Sequence, residues 1–401
     1  MQKNENTQLN TVPETIVTYC LIGLGQRALG YVKYIHKRSL PFRLLGVYDQ
    51  NTKYQTTFLS KIKRYTLDHP PKGYTSIGDM KKDRDRIQSV FICTPDNTHL
   101  SVLSSVVDWN IHIVLEKPIT TTHEDSIKML DVVSNYSSFI HVPLVLRFTN
   151  HYREVKRLLS NETMGKLVQV QMTLGLTVSH TASYQRRWHR LRSKSGGFIV
   201  TKCCHDVDLL HWLIDSQPKH ISSFSRNSTF AHPKKADGCA ECPEHVKDPC
   251  VYDFDGRYVV KTDMEDIGVY DRCVYDVENE SIDGQCAILL YENGVLCSYN
   301  IQMFQPESSR SMEIICEHGR IRSCFNTNRI EVTYTDDRET GIYYPKYDAI
   351  GHSGGDVQFL EYIHTKMIGK SSHTLLEESV RAMDTCTGIL QSSDTNTVVT
   401  R

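Results

Sequence analysis

Ile16-Val17-Thr18-Tyr19-Cys20-Leu21-Ile22 is an apolar run that breaks into Gly23-Leu24-Gly25-Gln26-Arg27-Ala28-Leu29-Gly30. A second run, Phe42-Arg43-Leu44-Leu45-Gly46-Val47-Tyr48, ends at Asp49, 19 residues after Gly30. The order predicts strand, glycine turn, helix, strand and acid. That layout holds a dinucleotide by its pyrophosphate on a helix N-terminus and by its ribose hydroxyls on a carboxylate. Gly23 allows the tight turn, Gly25 lets backbone approach phosphate without an intervening Cβ, and Ala28 is small enough for helix to lie on strand.

Further along, Ser89-Val90-Phe91-Ile92-Cys93 is a strand-like run that stops at Thr94-Pro95-Asp96-Asn97, and residues 98–107 resume helical spacing. Ile111-His112-Ile113-Val114-Leu115 is another buried strand, ending at Glu116-Lys117-Pro118. Strands alternating with helices predict an α/β fold: an N-terminal Rossmann domain over 15–147 with a doubly wound parallel sheet and working loops at the strands' carboxyl ends. From about Gly165 the pattern changes. Residues 168–174 alternate, and hairpin signals lie around Glu292-Asn293-Gly294 and His318-Gly319. Residues 148–401 are therefore expected to form an α+β domain on an open, mostly antiparallel sheet. Thr374 and Glu377 predict a capping box before a helix running to about Leu390.

The chain has 401 residues, 39% hydrophobic and 23% charged, with a net charge of -1. Length suits two domains, and the balanced charge gives no pull toward nucleic acid or an anionic membrane. Residues 1–14 read as a polar, disordered tail, not as a signal peptide. No apolar run reaches membrane-spanning length, and 13 cysteines are too sparse for a disulfide scaffold, so a cytoplasmic protein is expected.

With the glycine turn, Thr94-Pro95-Asp96-Asn97-Thr98-His99, Glu116-Lys117-Pro118, and Gly196-Gly197 followed by His205-Asp206-Val207-Asp208 all in order, the chain resembles the Gfo/Idh/MocA family. This is the glucose-fructose oxidoreductase and inositol dehydrogenase group. The resemblance covers roughly Val17 to Ser392. It implies a nicotinamide cofactor, a sugar, polyol or cyclitol substrate, and a homodimer or homotetramer built through the open sheet, which would otherwise leave an apolar surface exposed. The cofactor site is expected at Gly23, Gly25, Gln26, Arg27, Asp49, Thr94, Pro95, Asn97, His99, Glu116 and Lys117. NAD is expected over NADP, because Asp49 would repel a 2′-phosphate.

Oxidising a secondary alcohol requires a base for the hydroxyl proton. Lys117 is the candidate: it follows a buried strand where the nicotinamide should lie, and the family gives the lysine of this motif the same role. Pro118 suggests a cis bond that aims Lys117 inward. His205 is the second catalytic candidate, with Asp208 on one helical face as a substrate contact. Many family members carry an aspartate four residues before this histidine, whereas this chain has Thr201, which cannot serve as a carboxylate. Trp188 and His189, within an arginine-rich segment, are candidates for the sugar wall, and His352 for a glycine-rich loop near substrate.

Cys239, Cys242, Cys250 and Cys273 lie in an insertion at about 230–275 that is poor in apolar periodicity, and could close a tetrahedral structural zinc site. An ordinary thiol-bearing insertion is the alternative. Two further readings of the whole chain stay open: a redox-neutral NAD-dependent glycosidase or epimerase, and a non-catalytic dinucleotide-binding regulator.

Overall fold

The computed structural model describes residues 15–230, 236–238, 241–242, 250, 252, 264, 272–275, 280–336, 340–369 and 375–401. The expected tail lies outside these residues, as does most of the insertion.

The first sheet has six strands: β1 (Val17–Ile22), β2 (Phe42–Tyr48), β3 (Lys72–Gly73), β4 (Ser89–Ile92), β5 (His112–Leu115) and β6 (Ile140–His141). Their order is β3-β2-β1-β4-β5-β6, and every neighbour pair is parallel. Chain direction across the sheet reverses between β1 and β4, which opens a crevice at the carboxyl ends of those two strands. Helices cover both faces, so central strands are buried along their length rather than alternating: β4 has no exposed residue. Tyr19 and Phe91 pack at 4.8 Å between ring centroids, and Tyr31 meets Phe91 edge-on at 5.2 Å.

The helix after the glycine turn, Gln26–Arg38, buries Ala28, Leu29, Tyr31, Val32 and Ile35, the spacing of one face on the sheet. Its last turn carries His36, Lys37 and Arg38, which complement the carboxyl end of the helix dipole. The opposite end keeps its amides for the crevice.

Among the described residues the second sheet has nine strands: β7 (Leu167–Thr177), β8 (Pro218–Arg226), β9 (Gly284–Tyr291), β10 (Leu296–Gln305), β11 (Ser309–Cys316), β12 (Gly319–Cys324), β13 (Arg329–Tyr334), β14 (Gly341–Tyr343) and β15 (Val399–Thr400). The order is β14-β13-β12-β11-β7-β10-β9-β8-β15. Among these described strands only β7 and β10 pair in parallel. Both hairpins fall where their turns are written, β9–β10 around Asn293-Gly294 and β11–β12 around His318. In β9 the alternation is strict: Gln285, Ala287, Leu289 and Tyr291 face inward, while Cys286, Ile288 and Leu290 face out. Helices Cys204–Ile214 and Leu376–Thr395 cover the inner face. The last helix runs past Leu390, and Leu375 precedes it without a side-chain cap; Thr374 lies outside the described residues.

Helix Gly355–Gly369 belongs to the second half of the chain but packs against the first. His364 Nε2 lies 2.8 Å from the Thr15 carbonyl, and its ring packs on Phe42. The two sheets are thereby joined close to the glycine turn.

Candidate functional site

The crevice at the β1–β4 reversal opens into a cleft of about 1070 Å³. One end is lined by Gly23, Gly25, Gln26, Arg27 and Asp49, the middle by Thr94, Pro95, Glu116 and Lys117, and the far end by Tyr184, Trp188 and His189. Gly23 holds a φ of +83°, and a Cβ there would come within 2.6 Å of the Thr94 amide. At Gly25 a Cβ would meet nothing within 4 Å, and no side chain caps the helix that starts beside it. The open space and free helix N-terminus suit a pyrophosphate. Asp49 closes β2, its Oδ2 accepting from the Leu24 amide and its Oδ1 from the Asn51 amide, both at 2.9 Å. Those bonds fix the carboxylate at the mouth of the turn with lone pairs left for ribose hydroxyls. The residues present therefore fit a dinucleotide.

Glu116 ends β5 as a buried carboxylate. It accepts from Arg27 Nε at 2.7 Å and from the Tyr31 hydroxyl. Arg27 also pairs with Asp356 at 2.6 Å. Lys117 follows through a cis bond to Pro118, and its Nζ donates to the backbone carbonyl of Thr201 at 2.9 Å. The lysine thus bridges the end of β5 and the second half of the chain, at the cleft wall between dinucleotide cradle and aromatic end.

His205 sits in the first turn of helix Cys204–Ile214, 6% exposed, its ring 5.6 Å from that of His352. Burial first, then the nearby Lys117, holds its pKa well below the usual histidine value, so the imidazole is neutral at pH 7. Its Nδ1 has no hydrogen-bond partner among the described residues. His352 lies in a turn where Gly351, His352, Ser353 and Gly354 all have positive φ, a costly conformation for the two non-glycine residues. Asp356 holds the His352 Nδ1 at 2.7 Å.

His205 and His352 are not among the residues lining the cleft, and three further expected contacts are placed elsewhere. Asp208 is 1% exposed and forks onto Arg147, with Arg147 Nε to Oδ2 at 2.7 Å, so it neutralises a buried guanidinium instead of reaching substrate. The i,i+3 spacing from His205 puts Asp208 on the side of the helix toward Arg147. His99 is fully buried, its ring nitrogens 2.8 Å from the Pro118 carbonyl and 2.9 Å from the Thr94 carbonyl. It clamps the two cofactor loops together without lining the cleft. Asn97 is exposed and lies outside the cleft lining.

Trp188 and His189 do reach the cleft, stacked on one another with ring centroids 3.8 Å apart. Burial, then Arg187 and Lys117, pushes His189 down to about 3, so it is neutral. One ionisable residue of the cleft and two packed behind it carry no assignment from the sequence. Asp96 lines the cleft and accepts from Thr201 Oγ1 at 2.8 Å. Lys202 is pushed down to about 8 by burial, then by Arg310 and Lys117. Asp206 is buried against Arg310 at 2.6 Å and the Tyr299 hydroxyl at 2.8 Å. The position of Asp96 at the carboxyl end of β4 was a usable signal; the Asp206 pairing depends on β10 and β11, remote in sequence.

Cys242, Cys250 and Cys273 are partly buried free thiols, and Cys239 lies outside the described residues. Among the described residues no group of three or more His, Cys, Asp or Glu side chains is placed to hold a metal ion. Nor is any described helix long and apolar enough to cross a membrane.

Residues 17–143 match the oxidoreductase family with an NAD-binding Rossmann fold, and residues 152–322 match the Gfo/Idh/MocA C-terminal domain. A protein of Bacillus subtilis (strain 168) named as an oxidoreductase, YteT, is 25% identical over 379 residues, spanning 86% of this chain and 87% of that one. The inositol 2-dehydrogenase/D-chiro-inositol 3-dehydrogenase of Halalkalibacterium halodurans is 21% identical over 279 residues, 68% of this chain and 69% of that one. Levoglucosan dehydrogenase, solved with NADH and levoglucosan, shares the fold with a TM-score of 0.76 at 14% identity, covering 96% of this chain and 99% of its own.

Proposed function

The chain belongs to the Gfo/Idh/MocA oxidoreductase family, and on that premise we propose that it moves a hydride between NAD and a secondary alcohol of a sugar, polyol or cyclitol. The observation that carries this reading is Lys117, held by Thr201 at the cleft wall between the dinucleotide cradle and the aromatic end. Relatives named for inositol and levoglucosan support the substrate class.

When bound, the nicotinamide supplies the hydride acceptor. The amides at the start of Gln26–Arg38 would hold the pyrophosphate, and Asp49 would accept from the ribose hydroxyls and disfavour a 2′-phosphate. Lys117 takes the proton of the hydroxyl borne by the carbon that loses hydride. Neutral His205 hydrogen-bonds the same oxygen, while Trp188 and His189 offer a flat face to the sugar ring. His352, fixed by Asp356, stands beside His205.

The exposed outer face of β8, β9 and β10 carries Phe224, Ile288, Leu290 and Leu296, and we assign it to a homo-oligomer contact. A structural zinc at Cys239, Cys242, Cys250 and Cys273 remains a proposal of their spacing. One zinc per chain in protein prepared without chelator supports it, and metal-free protein of full stability overturns it.

The functional reading is tested by a panel of sugars, polyols and cyclitols with NAD⁺ and NADP⁺. Net NADH formation on one of them is expected. Product formation without net NADH would favour the redox-neutral reading, and no turnover on any would overturn both.

A further inference from the structure

Within that oxidoreductase reading, one buried acid of the cleft has no role yet. Asp96 follows β4 at its carboxyl end, is 8% exposed, and lines the cleft with Lys117 and Thr201. Thr201 holds both partners at once. Its hydroxyl donates to Asp96 Oδ2 at 2.8 Å, and its carbonyl accepts from Lys117 Nζ at 2.9 Å. Thr201 thereby sets a carboxylate on the same stretch of cleft wall as the lysine, without a direct ion pair between the two.

The charged and titratable groups around Asp96 come from four elements. The end of β5 contributes Lys117 and Glu116; helix Val178–Arg186 contributes Tyr184; helix Cys204–Ile214 contributes Cys204. Segment Arg192–Ser195 packs on residues 96–98 and brings Lys194 to the cleft, whereas its Arg192 is paired with Asp394 at 2.7 Å. Burial pushes the Asp96 carboxyl up to about 7; Lys117 is the strongest influence in the opposite direction. A carboxyl balanced there can both take a proton and release one to water at neutral pH.

We propose that Asp96 acts through Lys117 as the acceptor of the substrate's hydroxyl proton. Lys117 gains that proton as an ammonium. One N–H bond then breaks as a water of the cleft takes the proton, that water gives up a proton of its own to form one O–H bond on Asp96, and the lysine is returned as the neutral amine. Asp96 releases the proton to water in the cleft. No electron moves in this step, and the reverse order serves carbonyl reduction.

The test uses Asp96→Asn, whose amide oxygen can still accept from Thr201, and the double variant Asp96→Asn/Thr201→Asp, which returns a carboxylate from the other side. Carboxyl carbon NMR of the wild-type protein, with no substrate present, should show one aspartate titrating near 7, missing in Asp96→Asn. On a turned-over substrate, Asp96→Asn should lower kcat on the order of 10²-fold and remove the ionisation near neutrality from the kcat profile, with NADH affinity within about twofold. The double variant should recover roughly tenfold of that loss and regain an acid limb. A merely structural Asp96 would leave the pH profile in place and gain nothing from Thr201→Asp. An Asp96 that titrates at the ordinary value of about 4, or an unchanged profile in Asp96→Asn, overturns the proposal. Absence of wild-type turnover overturns the hydride-transfer reading instead, and the NMR titration is read without it.

Discussion

Arg27, in the first turn of the dinucleotide-cradling helix, and Asp356, at the head of a helix from the far end of the chain, form an ion pair at 2.6 Å. Asp356 is fully buried and also holds His352 at 2.7 Å. One carboxylate therefore ties the cofactor turn to the histidine that stands beside His205. Burial alone would raise the Asp356 pKa, but Arg27 and then His352 outweigh it and hold the carboxyl well below the usual carboxylate range.

Asp356→Asn should destabilise the protein by about 3 kcal/mol at pH 7, the scale for breaking a buried pair, softened because Arg27 keeps Glu116. The folded pKa lies below the unfolded value, so this contribution is fully present above about pH 5 and is lost as pH falls toward the folded value. Denaturant unfolding of both proteins at pH 7 and pH 3 reads the difference. A gap that does not narrow in acid contradicts the assignment.

Asp49→Ala should weaken NADH binding and relax discrimination against NADPH by about tenfold or more, because the carboxylate that repels a 2′-phosphate is gone. Calorimetric titration with both cofactors measures it. Wild-type protein that binds NADPH as tightly as NADH contradicts the cofactor assignment.

Leu290 lies in register with Leu296 on the outer sheet face, flanked by Ile288 and Phe224, which is 65% exposed. Charges placed in this strip, as in Ile288→Asp with Leu290→Asp, should convert the oligomer to monomer in sedimentation without unfolding it, since neither side chain is in the core. A wild-type protein that sediments as a monomer at micromolar concentration removes the interface.

Much of the fold could be read from local pattern, because parallel strands buried on both faces are written as unbroken apolar runs and hairpin turns carry their own residues. The glycine turn, Asp49 and the segment around Lys117 lie at strand ends, so their convergence follows from the alternation of elements alone. Asp208 shows the limit. It lies three residues after His205 on the same helix, but its orientation is decided by Arg147, 61 residues away. His99 likewise sits in a recognisable motif, yet its ring is spent on the Thr94 and Pro118 carbonyls. The connection of Asp96 to Thr201 spans 105 residues and joins two loops, and nothing in either loop's own pattern announces the other.

In the proposed reaction Lys117 handles the hydroxyl proton while other residues hold the dinucleotide. The most direct measurement is Lys117→Met, with steady-state turnover on the best substrate of the panel set beside an NADH titration of the same preparation. A fall in kcat of about 10³-fold or more is expected, with NADH affinity nearly unchanged. Turnover near the wild-type rate, or a loss explained by failure to bind NADH, would contradict it.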